Sequence, residues 1–255
     1  MHAPRRYRNT GDLPAVIPVF PLTGALLLPK TRLPLNIFEP RYLAMVDAAL
    51  GSYRMIGMIQ PKIPGEEEDA SKRPALTAVG CAGRIVEYSE TDDGRYLVTL
   101  LGIARFRVSG ERDQQTAFRE VAADYSDFSR DLKLEPETMA ESALLRDKLV
   151  RALKPYLTEH SMQTDWKSIE EAPTETLVNA LSMICPFDAR EKQALLEAPS
   201  MNARADALLA LLEMSNAALP TARGPKQPLH LGDDGRRSEA SGDPGLSRHQ
   251  GSSRL

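Results

Sequence analysis

Residues able to do nucleophilic or metal chemistry are few in this chain and lie far apart. The histidines and cysteines are His2, His160, His230, His249, Cys81 and Cys185. Among the histidines, only His160 lies in the predicted folded body. The sequence therefore supports no Ser–His pair, no Cys–His pair and no His-ligated metal site. Ser71 and Lys72 are adjacent, but in a polar loop. The sequence therefore predicts no catalytic residue and no metal ligand.

A nucleotide-binding loop is also missing from the sequence. The chain has no G-x-x-x-x-G-K-[ST] pattern, and no glycine-rich loop follows a predicted strand. The acidic run at 66–69 lacks the spacing of a calcium loop, because consecutive carboxylates seldom converge on one ion. We predict a solvated loop there, and no cofactor for the chain.

The composition is that of a globular protein. The 255 residues are 42% hydrophobic with a net charge of −3, which gives no general reason to expect nucleic acid or an anionic membrane as partner. No apolar run approaches the ~20 residues that span a bilayer, and the basic start lacks the apolar stretch of a secretory signal. We therefore expect a cytoplasmic protein with Cys81 and Cys185 as buried free thiols, although a disulfide between them is the alternative.

The stretch 17–50 organises the elements of the first half. Its short apolar runs at 17–20, 25–28 and 33–38 are each bounded by proline or glycine, so each is predicted to be a strand. Proline cannot donate to a sheet, which places the prolines of this stretch at strand ends, edges or bulges. A helix is predicted over 39–50, with Pro40 in its first turn.

Further strands are predicted at 54–61, 75–88, 95–108 and 118–128. Asp93-Gly94 favours a hairpin between the second and third of these. Apolar residues on both faces of 95–103 indicate that the first part of this strand is covered on both sides. Arg105 and Arg107 indicate that one face of its last part is open to solvent. A solvated face is expected for these two arginines, with an anionic ligand as the alternative. About six short strands favour a small closed or partly open barrel.

The apolar period changes from 2 to 3.6 near residue 131. Helices are predicted at 137–159, 174–185, from Asp188 to about 198, and after Ser200. Asp188 and Glu191 form a capping-box pattern, and Pro155 is expected to bend or shorten the first helix. The fold class is α+β, with a flexible leader at 1–14, a barrel with one helix at 15–130, a helical subdomain at 131–219 and a disordered tail at 220–255.

Several of these motifs occur together in one protein family. The pattern P-V-F-P-L at 18–22, L-L-P at 27–29, L-P-L at 33–35 and F-E-P-R-Y at 38–42 resembles the amino-terminal substrate-recognition domain of Lon (La) ATP-dependent proteases. It is most similar to the stand-alone bacterial proteins that consist of that domain. The similarity continues through 54–61, 79–87 and 96–108, and more loosely to about 215. It implies a PUA-like β-barrel followed by a helical subdomain.

The resemblance also implies a function. The chain would bind unfolded or degradation-marked polypeptides, without catalysis of its own, as an accessory to a protease or chaperone partner; both the ATPase loop and the Ser–Lys protease module of Lon are missing. Binding would use an apolar groove, with strand addition at a barrel edge as a further mode. The candidate peptide-binding residues are Leu26, Leu27, Leu28, Phe38, Tyr42 and Leu43. The alternative is nucleic-acid binding, as in some PUA-like barrels, against which stand the negative net charge and the 5% aromatic content.

Overall fold

The computed structural model describes residues 7–62, 74–112, 116–133, 139–160 and 164–217. Predictions for the first six residues of the leader, for most of the acidic loop and for the tail lie outside these ranges. Six strands are present, namely β1 Val16–Pro21, β2 Arg32–Ile37, β3 Met55–Ile59, β4 Val79–Glu90, β5 Tyr96–Glu111 and β6 Arg119–Asp124. Six α-helices are described, namely α1 Pro40–Leu50, α2 Met139–Glu159, α3 Trp166–Glu171, α4 Thr174–Ile184, α5 Ala189–Glu197 and α6 Met201–Ala217. The predicted α+β fold class is confirmed.

Five of the strands close into a ring. The sheet order is β2-β5-β4-β3-β1-β6, and β6 pairs back onto β5, so that β1, β3, β4, β5 and β6 form a barrel. Strand β5 is 16 residues long, which lets its last part pair with β6 while its first part pairs with β2. Strand β2 therefore lies outside the ring, as the terminal strand of a three-stranded extension with β5 and β4.

Close packing inside the ring depends on residues without a side chain. A Cβ atom on Gly57 would lie 2.9 Å from both Ile17 Cδ1 and Phe106 Cζ. The small residue on β3 thus lets the Phe106 ring fill the barrel interior. A Cβ on Gly102 would overlap the carbonyl oxygen of Leu28, so the 25–31 segment can approach β5 only at a glycine.

The predicted strand at 25–28 is wrong. This segment has no regular secondary structure, and its leucines are buried. It ends in a turn in which the Thr31 N–H donates to the Leu28 carbonyl, with Pro29 at the second position and Lys30 at φ 66°. An apolar run indicates burial but not conformation, and here the chain crosses the barrel surface instead of joining the sheet. The strand predicted at 118–128 likewise ends at Asp124, after which residues Ser126–Leu132 form a 3₁₀ helix.

The helices follow the predicted pattern closely. Asp188 accepts a hydrogen bond from the Glu191 N–H at 2.8 Å, and the Glu191 carboxylate accepts one from the Asp188 N–H at 2.8 Å, so the predicted capping box is confirmed. Ser200 Oγ accepts from the Ala203 N–H and caps α6. Pro155 does not shorten α2, which continues to Glu159.

One apolar core joins the barrel to the helices. The larger cluster of buried side chains includes residues from both parts, among them Leu28, Met45, Leu100, Leu153 and Leu208. A smaller cluster fills the ring itself, with Ile17, Val19, Met55, Phe106 and Tyr125. The described residues from 7 to 217 belong to one compact unit by their contacts. The separation of a barrel from a helical subdomain at residue 131 stays a prediction.

Candidate functional site

The six candidate peptide-binding residues fall into two groups. Four are buried to 7% exposure or less and belong to the core, namely Leu26, Leu27, Leu28 and Tyr42. Leu43 is half-buried against the same core, and only Phe38 is exposed, at 63%. The structure does not support the prediction that these four core residues contact a bound chain, because they have almost no surface to offer it. Tyr42 packs on Phe20, with 4.2 Å between the ring centroids.

Phe38 is exposed and directly follows β2, the terminal strand of the three-stranded extension. In register, Asn36 of β2 and Ser89 of β4 flank Leu97 of β5 on its two sides, while Pro34 and Glu87 flank Thr99 in the same way. These side chains alternate with the buried ones, so they share the solvent side of the sheet, called here the outer face. It carries an open groove of about 410 Å³, lined by residues 34–36, 87–89 and 97–99.

Two exposed apolar side chains lie on the outer face and at its margin, namely Leu97 and Phe38. Leu97 is 45% exposed. The Arg95 guanidinium lies 5.9 Å from the centroid of the Phe38 ring, which keeps Phe38 beside the hairpin that joins β4 to β5. Exposed apolar side chains grouped around a groove are typical of an interaction site. Sequence reasoning missed Leu97 because its apolar neighbours predicted a strand covered on both sides. The signal for an open face was the polar character of Asn36 and Ser89, which flank Leu97 in the sheet.

Polar groups border the groove. The Arg32 guanidinium forms an ion pair with the Glu87 carboxylate at 2.7 Å, with both side chains well exposed. A hydrogen bond from Thr99 and the pairing with Arg32 lower the pKa of Glu87. On the opposite side of the sheet, the hydrogen bond between Tyr96 and Tyr88 raises the pKa of Tyr96 to about 12, with smaller contributions from partial burial and Asp47 of α1. The hydrogen bond between Tyr96 and Asp47 thus links the extension to α1.

Strand addition at the free edge of β2 meets an obstacle. The Gly102 N–H donates to the Thr31 carbonyl, and antiparallel alternation from that pair directs the backbone of residues 32, 34 and 36 toward the free edge. Residue 34 is a proline, so the central donor of this edge is missing. The geometry favours binding on the outer face over strand addition.

The expected solvated face at Arg105 and Arg107 is wrong for Arg105. Its side chain is 5% exposed and forms a two-pronged ion pair with Asp131, with both N···O distances 2.9 Å. Its remaining N–H groups donate to the carbonyls of Leu196 and Ala198, next to α5. Arg107 is exposed and pairs with Asp127 at 3.0 Å. Arg105 is therefore a structural link between barrel and helices, and is not available to an anionic ligand.

The described residues contain no group of three or more His, Cys, Asp or Glu side chains placed to hold a metal ion. Cys81 and Cys185 are both free and buried. Burial raises the pKa of the Cys81 thiol far above its usual range and that of Cys185 to about 11, so neither thiol is an activated nucleophile. Among the described residues, none of the helices is long and apolar enough to cross a membrane.

Two solved structures similar to this chain are amino-terminal domains of Lon proteins. The chain is similar to the crystal structure of a Lon N-terminal domain protein from Xanthomonas campestris, with a TM-score of 0.54 and 22% identity over 76% of this chain and 97% of that one. It is also similar to the N-terminal domain of Mycobacterium avium complex Lon protease, with a TM-score of 0.55 and 16% identity over 78% of this chain and 98% of that one. At these identities the likeness establishes the fold alone.

Relatives in sequence are full-length proteases. The chain is 27% identical to Lon protease 2 of Myxococcus xanthus over 218 residues, which is 85% of this chain and 26% of that protein. It is 29% identical to Lon protease 2 of Thermus thermophilus over 221 residues, which is 83% of this chain and 26% of that protein. The chain thus spans about a quarter of the length of the curated relatives it matches. The model of the ATP-dependent protease La (LON) substrate-binding domain matches residues 16–214, and the chain belongs to that family.

Proposed function

We propose that this chain binds unfolded or degradation-marked polypeptides on its outer face and has no peptidase activity of its own. The observation that carries the proposal is the exposure of Leu97 in the outer-face groove, with the exposed Phe38 ring beside the hairpin that joins β4 to β5. Family membership supports a substrate-recognition module. The matched region, residues 16–214, corresponds to the substrate-binding domain. An accessory role beside a separate ATP-dependent protease is part of the proposal.

The physical basis is the burial of apolar side chains that a folded protein keeps inside. An unfolded chain exposes such side chains, and covering them together with Phe38 and Leu97 removes apolar surface from water at about 25 cal/mol per Å². The ion pairs and hydroxyl groups around the groove provide the polar rim that surrounds such contacts. Two free, buried thiols also support our proposal of a cytoplasmic, reducing location.

A basic concavity near Arg84, Arg105 and Arg107 would favour the nucleic-acid alternative, and the contacts of these three side chains do not support one. Arg105 forms a buried ion pair with Asp131, and Arg107 forms an exposed one with Asp127. Arg84 donates to the Tyr7 hydroxyl at 2.8 Å.

Fluorescence anisotropy with labelled casein as the unfolded polypeptide tests the proposal. Leu97→Glu is expected to weaken binding by at least about tenfold, because a carboxylate in the groove would have to lose its hydration on contact. Met214→Glu is the matched control. Met214 is 67% exposed on α6 and does not line the outer-face groove, so its replacement should leave binding unchanged.

Three outcomes would contradict the proposal. One is casein binding that is unaffected by Leu97→Glu, with the thermal transition of the variant showing that it is folded. Another is degradation of casein by the purified protein with or without ATP. The third is displacement of casein by an RNA oligonucleotide at equal or lower concentration, which would favour the nucleic-acid alternative.

A further inference from the structure

A second groove lies at the other end of β2. It has a volume of about 310 Å³ and lies between the turn at residues 30–32 and helix α4. Its helical wall includes Ala180, Met183 and Ile184, and Ile184 is 65% exposed. The Lys30–Glu175 ion pair, 3.0 Å between Nζ and Oε2, stands at its margin. This cavity is called here the α4 groove.

One ion pair separates the α4 groove from the groove of the outer face. Arg32 lines the α4 groove and Glu87 lines the outer-face groove, and their side chains are 2.7 Å apart. Both side chains are about 60% exposed, so this wall is thin and can rearrange at small cost. The two apolar grooves therefore form one interrupted track along β2.

The spacing of the grooves follows from strand geometry. One groove is centred near position 31 of the chain and the other near position 35. Four residues of strand cover about 13 Å at about 3.3 Å per residue, and α4 sets its apolar residues somewhat further out. An extended polypeptide crossing both grooves would need about four to six residues between the side chains that fill them.

We propose that the two grooves bind one extended polypeptide segment through two apolar side chains about five residues apart. The inference rests on the proposed function and specifies its substrate: an unfolded segment with two apolar anchors joined by polar residues that pass over the Arg32–Glu87 pair. Occupying the first groove raises the effective concentration of the second anchor at the second groove, so a correctly spaced pair binds more tightly than either anchor alone.

Synthetic peptides with fluorescent labels test the spacing. One peptide carries a single leucine–phenylalanine anchor in a Gly/Ser chain, and others carry a second anchor about two, five or ten residues away. The peptide with the spacing of about five should bind at least about tenfold more tightly than the single-anchor peptide. The spacing of about two should give no gain, because that segment spans only about 7 Å.

Variants in each groove complete the test. Ile184→Glu in the α4 groove and Leu97→Glu in the outer-face groove should each reduce the gain from the second anchor to less than about twofold, while Met214→Glu should preserve it. Equal affinity for the single-anchor peptide and the best-spaced peptide would overturn the inference, as would an equal gain at every spacing. If instead the single-anchor peptide binds wild type and Leu97→Glu with equal affinity, the proposed function itself has failed.

Discussion

At the scale of single residues, Arg105 and Asp131 show how a polar pair can hold two parts of a fold together. The pair is almost completely buried, with side-chain exposures of 6% and 9%. The guanidinium also lies 4.6 Å from the centroid of the Phe128 ring. The protein therefore surrounds the Arg105 guanidinium. Removal of the Asp131 carboxylate would leave the Arg105 charge buried without compensation.

We predict that Asp131→Asn lowers the free energy of unfolding by about 3–5 kcal/mol, because the Arg105 charge stays buried without its carboxylate. Urea denaturation followed by circular dichroism measures this change. The matched control is Asp127→Asn, which removes the exposed partner of Arg107 and should cost less than about 1 kcal/mol. Similar losses in both variants would show that Arg105 tolerates the missing carboxylate.

At the scale of secondary-structure elements, α2 contains a feature that does not suit its conformation. Pro155 lies on the exposed side of this helix and supplies no N–H for the bond to the preceding turn. The helix nevertheless continues, since Leu149, Leu153 and Tyr156 are buried along one side of it. Packing of that apolar side outweighs the local penalty, which is why the expected shortening does not occur.

Replacing Pro155 with alanine should stabilise the protein by about 1–3 kcal/mol, because the missing hydrogen bond is restored without disturbing a buried contact. Thermal and urea unfolding both report on this change. Lys148→Ala, at another exposed position of α2, should shift stability by less than about 0.5 kcal/mol. A loss of stability in Pro155→Ala would mean that the proline is accommodated without cost.

The elements that could be predicted from sequence are those whose signals are local. Periodicity and the Asp188–Glu191 cap locate the helices because each signal lies within a few residues of the element. The segment at 25–28 could not be predicted, since its conformation depends on Gly102 more than 70 positions later in the chain. The Arg105–Asp131 pair joins residues 26 apart, which no local pattern indicates. Of the candidate site, Phe38 was predicted as a contact residue and is exposed, whereas Leu97 required the register of three strands.

At the scale of the whole molecule, barrel and helices share their interior. Besides the common apolar core, Gln60 of the barrel donates to the Ala189 carbonyl at 2.8 Å, and Gln193 of α5 donates to the Val79 carbonyl at 3.1 Å. The two cysteines lie in this interior, with Cys81 on β4 and Cys185 after α4. Unfolding of either part would expose the thiol that it contains.

Stability should therefore fall as the pH rises above about 9. An unfolded thiol ionises near 9, whereas folded Cys185 keeps its proton until about 11 and Cys81 keeps its proton beyond that. In this window the unfolded state binds fewer protons, so the free energy of unfolding decreases by at most about 1.4 kcal/mol per pH unit for each thiol. The stabilisation is fully present below about pH 9 and is lost as the pH passes the folded value.

Urea midpoints near pH 7, 9 and 10.5 measure this dependence, and Cys185→Ala is the comparison. The variant should show a shallower decline between about pH 9 and 11, because one of the two contributing thiols is gone. Comparing slopes rather than absolute stabilities separates ionisation from the loss of packing. Identical slopes in the two proteins would show that Cys185 does not contribute to the alkaline loss of stability.

Pro34 has a consequence for the behaviour of the protein in a crowded solution of misfolded chains. Such chains polymerise by adding to any open strand that offers a full row of donors, and the first ordered strand acts as a seed. With a proline at the middle of its free edge, β2 is a poor seed. If the outer face binds unfolded chains as proposed, the protein can expose that apolar surface to aggregation-prone chains without becoming the template on which they assemble.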